Sequence, residues 1–463
     1  MKEQEWSVET SSRLHGLISN FFPPPPPPTD AEGNQGGGRT HSDHTAQTNT
    51  RSAGRDGGMA FARRVLGRVF GSRHASSTVR ARLEALRTEC EARSASHLGY
   101  PYNLRLSGAN ADLQPFLGFF MNNLGDAYAQ SNYGVNTYTL EREVVETFAS
   151  MWGGGSTDVW GAVTSCGTEG NLLGILYGRE AIRSTGAAAT LVSSVESHYS
   201  VAKAGRMYDM PYERVRSTYD GAIDYDALER AARRIAHAEG RGVCVVVNAG
   251  STMRGAHDQL DRVVQALDAA NVPPERRNLH CDAALSGVIL PVLPEASAYH
   301  FGFDRGADSI AVSGHKQLGT PVPCGVVCTR REHMERWAAG TPAEADYVNT
   351  QDSTLGGSRS GFAALALWYA LEMLGREGLA RDARQCLAAA TGLTSLLASH
   401  APRSGATRAR FSTTVVFRRP SDALVQKYQL ATSGAFAHIV CTPSVGHELL
   451  RAFVDDYVAD EDA

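Results

Sequence analysis

Residues 309–316 read Ser-Ile-Ala-Val-Ser-Gly-His-Lys. A short apolar run closed by Ser-Gly predicts a buried strand, and the lysine that follows stands just past the strand's carboxyl end. Similar runs surround it at 159–163, 190–195, 243–248, 279–282 and 325–329. Between them lie stretches with helical periodicity at 170–183, 225–238 and 260–269. Strands that alternate with amphipathic helices over this length predict an α/β domain, with a mostly parallel sheet covered on both faces. After Gly361 the pattern changes to two long helices, a strand at 411–417, a helix, a strand at 437–441 and a last helix, which predicts a smaller C-terminal α+β domain. Upstream, 78–93 places Val79, Leu83, Leu86 and Cys90 on one helical face. The expected division is a Pro/Gly-rich extension (1–75), a helical segment (76–150), a large domain (151–360) and a small domain (361–463).

Composition narrows the class. The chain has 463 residues and a net charge of −4, which provides no electrostatic basis for nucleic acid as a main partner. No apolar run has membrane-spanning length; the longest candidate, 363–374, suits a buried helix. The eight cysteines are scattered, mostly inside strand-like stretches, as expected of reduced core thiols in an intracellular protein. Cys324 and Cys328 have no nearby residues to complete a zinc quartet, so no metal site is expected. The extension carries six prolines (Pro23 to Pro28) and Gly36-Gly37-Gly38, a composition that cannot bury enough apolar surface to offset its ordering entropy. It ends in an acid-free stretch with Arg63, Arg64, Arg68 and Arg73 interleaved with Phe61, Val65, Leu66, Val69 and Phe70, just after Met59. That is either a basic linker in a cytoplasmic protein or a mitochondrial targeting peptide exposed by initiation at Met59.

Four positions carry candidate chemistry. Lys316 sits on the rim where parallel sheets bind ligands, and an ammonium there must be paired or partly neutralised, conditions that favour an imine with an aldehyde cofactor. An ordinary surface lysine is the competing reading. Asp282, in His280-Cys281-Asp282-Ala283-Ala284, ends the preceding buried strand. Its carboxylate could face a protonated ring nitrogen, with small Ala284 letting a flat ring pack close; a helix cap or structural ion pair is the alternative. Ser165-Cys166-Gly167-Thr168-Glu169-Gly170-Asn171 is a strand-to-helix turn suited to a phosphate, and it matches neither dinucleotide nor P-loop fingerprints. Cys166 within it could also be read as a nucleophile. His198, in Glu196-Ser197-His198-Tyr199-Ser200-Val201, could stack on a ring or serve as a structural histidine.

In chain order these four elements, together with Asn132-Tyr133-Gly134-Val135-Asn136, Gly178-Arg179-Glu180, Arg254-Gly255-Ala256, Pro323-Cys324-Gly325 and Gly357-Ser358-Arg359, resemble the group II decarboxylases of amino acids that depend on pyridoxal phosphate (PLP). The resemblance runs from about Gly99 to Phe453, and is strongest to bacterial-type histidine decarboxylases and plant serine decarboxylases. It implies the aminotransferase-like fold (fold type I) and a homodimer acting on a small amino acid. It also implies that Lys316 holds the PLP aldehyde, Asp282 pairs with the ring nitrogen and His198 stacks on the ring and touches substrate. Gly167 and Thr168, Ser313 and His315 would hold the phosphate, Thr252 and Ala284 would lie against the ring, and Ser358 would reach a phosphate across the dimer interface. Tyr347 is the candidate proton donor at Cα. Ser251 and Ser360 depart from the family pattern, where Thr and Asn are usual. Stretches around 283–291 and 430–434 resemble the histidine enzymes; those at 166–180 and 280–282 resemble the serine enzymes.

Overall fold

The structure is a computed structural model that describes residues 74–105, 111–339, 344–345 and 350–462. Met59, the basic stretch after it and Tyr347 lie outside the described residues. The chain divides into two compact units, 1–80 and 81–463, and the account below concerns the second.

Helix α1 (His74–Ala95) covers the expected 78–93. Its apolar stripe, however, is exposed: Leu83 keeps 60% of its surface accessible, and Leu86 and Cys90 are also uncovered. Helix α2 (Tyr138–Met151) then leads into the alternating region, which runs β1 (Val159–Thr164), α3 (Gly167–Arg183), β2 (Ala189–Ser194), α4 (Tyr199–Met207), β3 (Tyr212–Val215), α5 (Tyr225–Arg233), β4 (Gly242–Asn248), α6 (Leu260–Ala269), β5 (Arg277–Asp282), β6 (Ser309–Ser313), β7 (Gly325–Arg330) and α7 (Arg331–Ala339).

The seven strands form one sheet in the order β1-β7-β6-β5-β4-β2-β3. Pairings from β3 through β6 are parallel, whereas β7 is antiparallel to both β6 and β1. The reversal follows from the connection. A parallel return needs a crossover of a dozen or more residues, usually helical, and the short link from Ser313 to Gly325 contains no helix. Strand β4 is buried at every residue, which explains its unbroken apolar sequence. Strand β3 was not expected. Tyr212-Glu213-Arg214-Val215 lacks an apolar pattern because it is an edge strand with partly exposed side chains. The helix expected over 225–238 ends at Arg233 and continues as one wider π turn, Arg234–Ala238.

Helix α3 lies unusually close to the sheet. Added Cβ atoms on Gly170, Gly174 and Gly178 would meet Ala311 at 2.9 Å, His280 at 2.2 Å and Asn278 at 2.1 Å. Glycine at every fourth position therefore forms a smooth stripe on which the side chains of β5 and β6 rest.

Beyond the two-residue strands β8 (Glu344–Ala345) and β9 (Thr350–Gln351), α8 (Gly361–His400) opens the smaller part. It is broken at Gly375 (φ 57°, ψ 179°), so the two expected long helices are the two arms of one kinked run. Then follow β10 (Thr414–Arg418), α9 (Asp422–Tyr428), β11 (Ala431–Ser433), β12 (Phe436–Val440) and α10 (His447–Asp462). The strands make a separate antiparallel sheet, β10-β12-β11. The strand expected from residue 411 starts three residues later, because Phe411 sits at φ 56°, outside extended backbone. Leu98, Leu393, Phe417, Ile439 and Phe453 share a core there that is distinct from the one under the large sheet. No helix among the described residues is long and apolar enough to cross a membrane.

Candidate active site

The parallel strands β2, β4, β5 and β6 all end at one edge of the sheet, where open α/β sheets place their ligands. Because Asp282 pairs with Ala311 in register, the chain leaving β5 and the chain leaving β6 toward Lys316 emerge side by side. The β1–α3 turn lies over them: a Cβ on Gly167 would come within 2.4 Å of Ser313 Oγ. These segments enclose a cavity of about 500 Å³, lined by Gly167, Thr168, His198, Thr252, Asp282 and Ala284, and also by Ser313, His315 and Lys316. Nine residues singled out in the sequence thus meet in one place, although they span 150 positions from Gly167 to Lys316. Two do not. Ser358 is exposed and accepts a 3.1 Å hydrogen bond from Asn122, away from the cavity, and Tyr347 is outside the described residues. The buried member of the Gly357-Ser358-Arg359 motif is Arg359, which pairs with Glu141 and donates to the carbonyls of Val163 and Gly125. Its conspicuous job is to join α2, β1 and the 122–125 segment.

A hydrogen-bonded chain fixes the floor of the cavity. Asp282 accepts from Asn171 Nδ2 at 2.8 Å and from the Ala284 N–H at 3.2 Å. The same Asn171 amide donates to Ser200 Oγ at 3.0 Å. Its carbonyl oxygen faces His280 Nε2 at 3.0 Å, and His280 Nδ1 lies 2.8 Å from Ser309 Oγ. An amide oxygen only accepts, so His280 donates from Nε2 and receives the Ser309 hydroxyl at Nδ1. That neutral tautomer agrees with burial, which pushes the His280 pKa down to about 4. On the other side, His198 caps α4: its Nδ1 accepts the Ser200 N–H and is 2.9 Å from Ser200 Oγ. Nδ1 therefore carries a lone pair, and Nε2 carries the proton. Burial, aided by the positive charge of Lys316 and opposed by Asp282, holds the His198 pKa below its usual value. Lys316 is likewise depressed by loss of water, with Asp282 opposing.

The arrangement fits PLP. The first turn of α3 has no side-chain cap, so its N–H groups are free for an anion beside Ser313 and His315, and the Gly167 cradle is space that any Cβ would fill. Asp282 offers a buried carboxylate to a ring nitrogen, and Lys316 offers an amine of lowered basicity to an aldehyde. Cys166 is the N-cap residue of α3 and contributes backbone to this cradle.

Asn171 and Ser200 stood inside quoted motifs, but nothing in the chain indicated that they would link Asp282 to His198. Apart from Ala431, which stands in the 430–434 stretch, the outer wall was not anticipated. It comprises Tyr100, Tyr102, Met253, Ala431, His438 and Val440, drawn from segments more than three hundred residues apart. Tyr100 and Tyr102 lie parallel to each other and to His97 at centroid distances of 5.8–6.1 Å, and Tyr102 tilts against His315 at 5.7 Å.

Comparison with known proteins agrees with this geometry. Residues 122–419 match the pyridoxal-dependent decarboxylase conserved domain. The chain is 39% identical to serine decarboxylase 1 of Oryza sativa subsp. japonica, over 79% of this chain and 72% of that one. It is 37% identical to histidine decarboxylase of Pseudomonas entomophila, over 83% and 92%. Among solved structures it resembles L-methionine decarboxylase from Streptomyces sp. 590, with a TM-score of 0.75 and 25% identity, covering 84% of this chain and 96% of that one.

Proposed function

Because this chain belongs to the pyridoxal-dependent decarboxylase family, and so removes carbon dioxide from an amino acid with PLP as cofactor, we propose that the amino acid is histidine and the product histamine. The observation that carries this choice is the outer wall of the cavity. Tyr100, Tyr102, Met253 and Val440 present flat and apolar surfaces, which suit an imidazole ring better than a hydroxymethyl group. Among the described residues Asp282 is the sole carboxylate lining this cavity, and Asn171 and the Ala284 N–H engage it, which favours a side chain without a full positive charge. Serine is the second reading, favoured by the 39% identity to two rice serine decarboxylases. Purified protein with PLP, offered each amino acid in turn, should release histamine from histidine. Ethanolamine from serine, with histidine inert, would replace the first reading by the second.

PLP, when bound, supplies an electron-withdrawing ring into which the electrons of the breaking Cα–carboxylate bond can flow. The chain's own residues do the rest. Lys316, its basicity lowered by burial, would present its amine to the aldehyde. Asp282 would keep the ring nitrogen protonated, and Asn171 with the Ala284 N–H holds the Asp282 carboxylate in place. His198 would cover one face of the ring and Ala284 the other. The Gly167–Thr168 turn, Ser313 and His315 would hold the phosphate, and Thr252 would stand beside the ring. With substrate bound, the walls would limit water around the carboxylate, whose charge disperses as carbon dioxide leaves. Tyr347 remains our candidate for delivering the proton to Cα.

We further propose a homodimer in the cytoplasm. Supporting the dimer are the uncovered stripe of α1 and the exposed run Phe116, Leu117, Phe119 and Phe120, the last 80% accessible. An apolar surface of that kind on one chain suits burial against a second copy, with Ser358 then reaching the partner's phosphate. Six of the eight cysteines are buried and all are free, which suits a reducing compartment. A reporter fused to residues 59–85 separates this from mitochondrial targeting of a form begun at Met59.

A further inference from the structure

His438 lies at the middle of β12 and is 3% accessible. Its Nδ1 is 3.0 Å from the carbonyl oxygen of Met253, and its Nε2 is 3.0 Å from the carbonyl oxygen of Gly99. Carbonyl oxygens only accept, and a neutral imidazole has one N–H and one lone pair. In either neutral tautomer one of the two contacts would set a lone pair against a carbonyl at 3.0 Å. Only the imidazolium donates to both.

The two acceptors belong to separate segments that line the active-site cavity, as does His438. Met253 follows Thr252. Gly99 begins the strip that carries Tyr100 and Tyr102 and that is tied at its far end by Asn103, whose N–H donates to the Lys316 carbonyl at 3.0 Å. The strip runs beside β12, with Val440 N–H donating to Leu98 O at 3.2 Å. It fits so closely against the small sheet that a Cβ on Gly99 would fall 2.1 Å from the carbonyl oxygen of Gln429. One side chain of the small sheet therefore fastens both walls around the space above Lys316.

We propose that His438 is a positioning residue that acts as an imidazolium clasp: doubly protonated, it binds the Gly99 and Met253 walls to β12 and shapes the substrate mouth, and loss of one proton frees one wall. It rests on this cavity being the amino-acid site. The titratable groups on neighbouring elements are His97, Tyr100 and Tyr102 on the strip, Arg254 beside Met253 and Arg418 on β10. The same cavity is lined by Cys166, His198, Tyr199, Asp282, His315 and Lys316. None of these is a hydrogen-bond partner of the ring; both of its partners are carbonyls. Burial opposes the charge and the two carbonyls support it, with the balance below the ordinary histidine value. Acidification from neutrality should therefore tighten the clasp.

Two measurements test this on the full-length holoenzyme. Neutron diffraction from crystals exchanged into D₂O at about pH 5.5 should show deuterium on both ring nitrogens; density on one nitrogen alone overturns the clasp. In solution, His438→Phe keeps the shape without donors and should raise KM roughly tenfold, the scale of one charge-assisted hydrogen bond, with a smaller effect on kcat. The ratio of wild-type to variant kcat/KM should widen between about pH 7.5 and about pH 5.5. His438→Gln, which donates but does not titrate, should recover part of the KM and show a flatter pH profile than wild type. A wild-type to Phe ratio that stays constant with pH would overturn the proposal. Failure of the protein to bind PLP would count against the cofactor assignment, and the deuterium count would still decide the clasp.

Discussion

Lys316 can hold an aldehyde only as its amine gives up a proton, and burial shifts it in that direction while Asp282 opposes the shift. Lys316→Ala should remove both the borohydride-reducible protein–cofactor bond and turnover, a fall of roughly 1000-fold or more. A variant that kept a reducible bond would place the amine elsewhere. Asp282→Asn should still bind some cofactor yet lose about 100-fold in rate, the scale of removing one charge aimed at the reacting system. Wild-type rates in that variant would mean that another group faces the ring nitrogen. Buried histidines set a pH limit as well. His280 and His257 are each pushed from 6.5 to about 4, so between those values the unfolded chain takes up protons that the folded chain refuses, and stability falls as pH falls. Asp258, raised from 3.8 to about 6, acts in the opposite sense over nearly the same window. The three together leave a net loss of about 3 kcal/mol on going from about pH 6.5 to about pH 4. Urea unfolding across that range should show the decline; an unchanged midpoint would mean that the two histidines are not held neutral.

Helix α3 does two jobs with one face: its first turn presents N–H groups to the cavity, and its glycine stripe lets β5 and β6 come close. Gly174→Ala should cost about 1–3 kcal/mol, because the new methyl meets His280, which Asn171 and Ser309 hold in place. It should also weaken cofactor binding, since the same displacement reaches Asp282 through Asn171. Gly392→Ala in α8, where nothing lies within 4 Å, should instead stabilise by up to about 1 kcal/mol. Thermal melts of the two variants side by side would check the contrast, and equal shifts would contradict it. Helix α3 was legible in the chain because its turn and period are local. Strand β3 was not, since an edge strand need not be apolar, and neither was the π turn after α5.

For the whole molecule, assembly turns on the apolar surface left on one chain, Phe116, Leu117, Phe119 and Phe120. Phe120→Asp changes an 80% accessible side chain, so within a monomer it should alter stability by no more than about 0.5 kcal/mol. In a dimer that buries this run it should shift sedimentation toward the monomer and lower activity with it. A dimer that survived the substitution intact would move the interface away from residues 116–120.

Local sequence determined the strands that end at Asp282 and Ser313, the uncapped turn before α3, and the residue types placed on the sheet's rim. Each is written in fewer than a dozen consecutive residues, and strand-helix alternation leaves a parallel sheet as the way to cover both faces. Tertiary structure alone decided what stands opposite that rim. Leu98 to Asn103, Met253 and His438 come from three distant segments that meet only because a second sheet packs its own core beside the first. Their contacts depend on tertiary packing across more than three hundred residues, and no spacing in the chain records it.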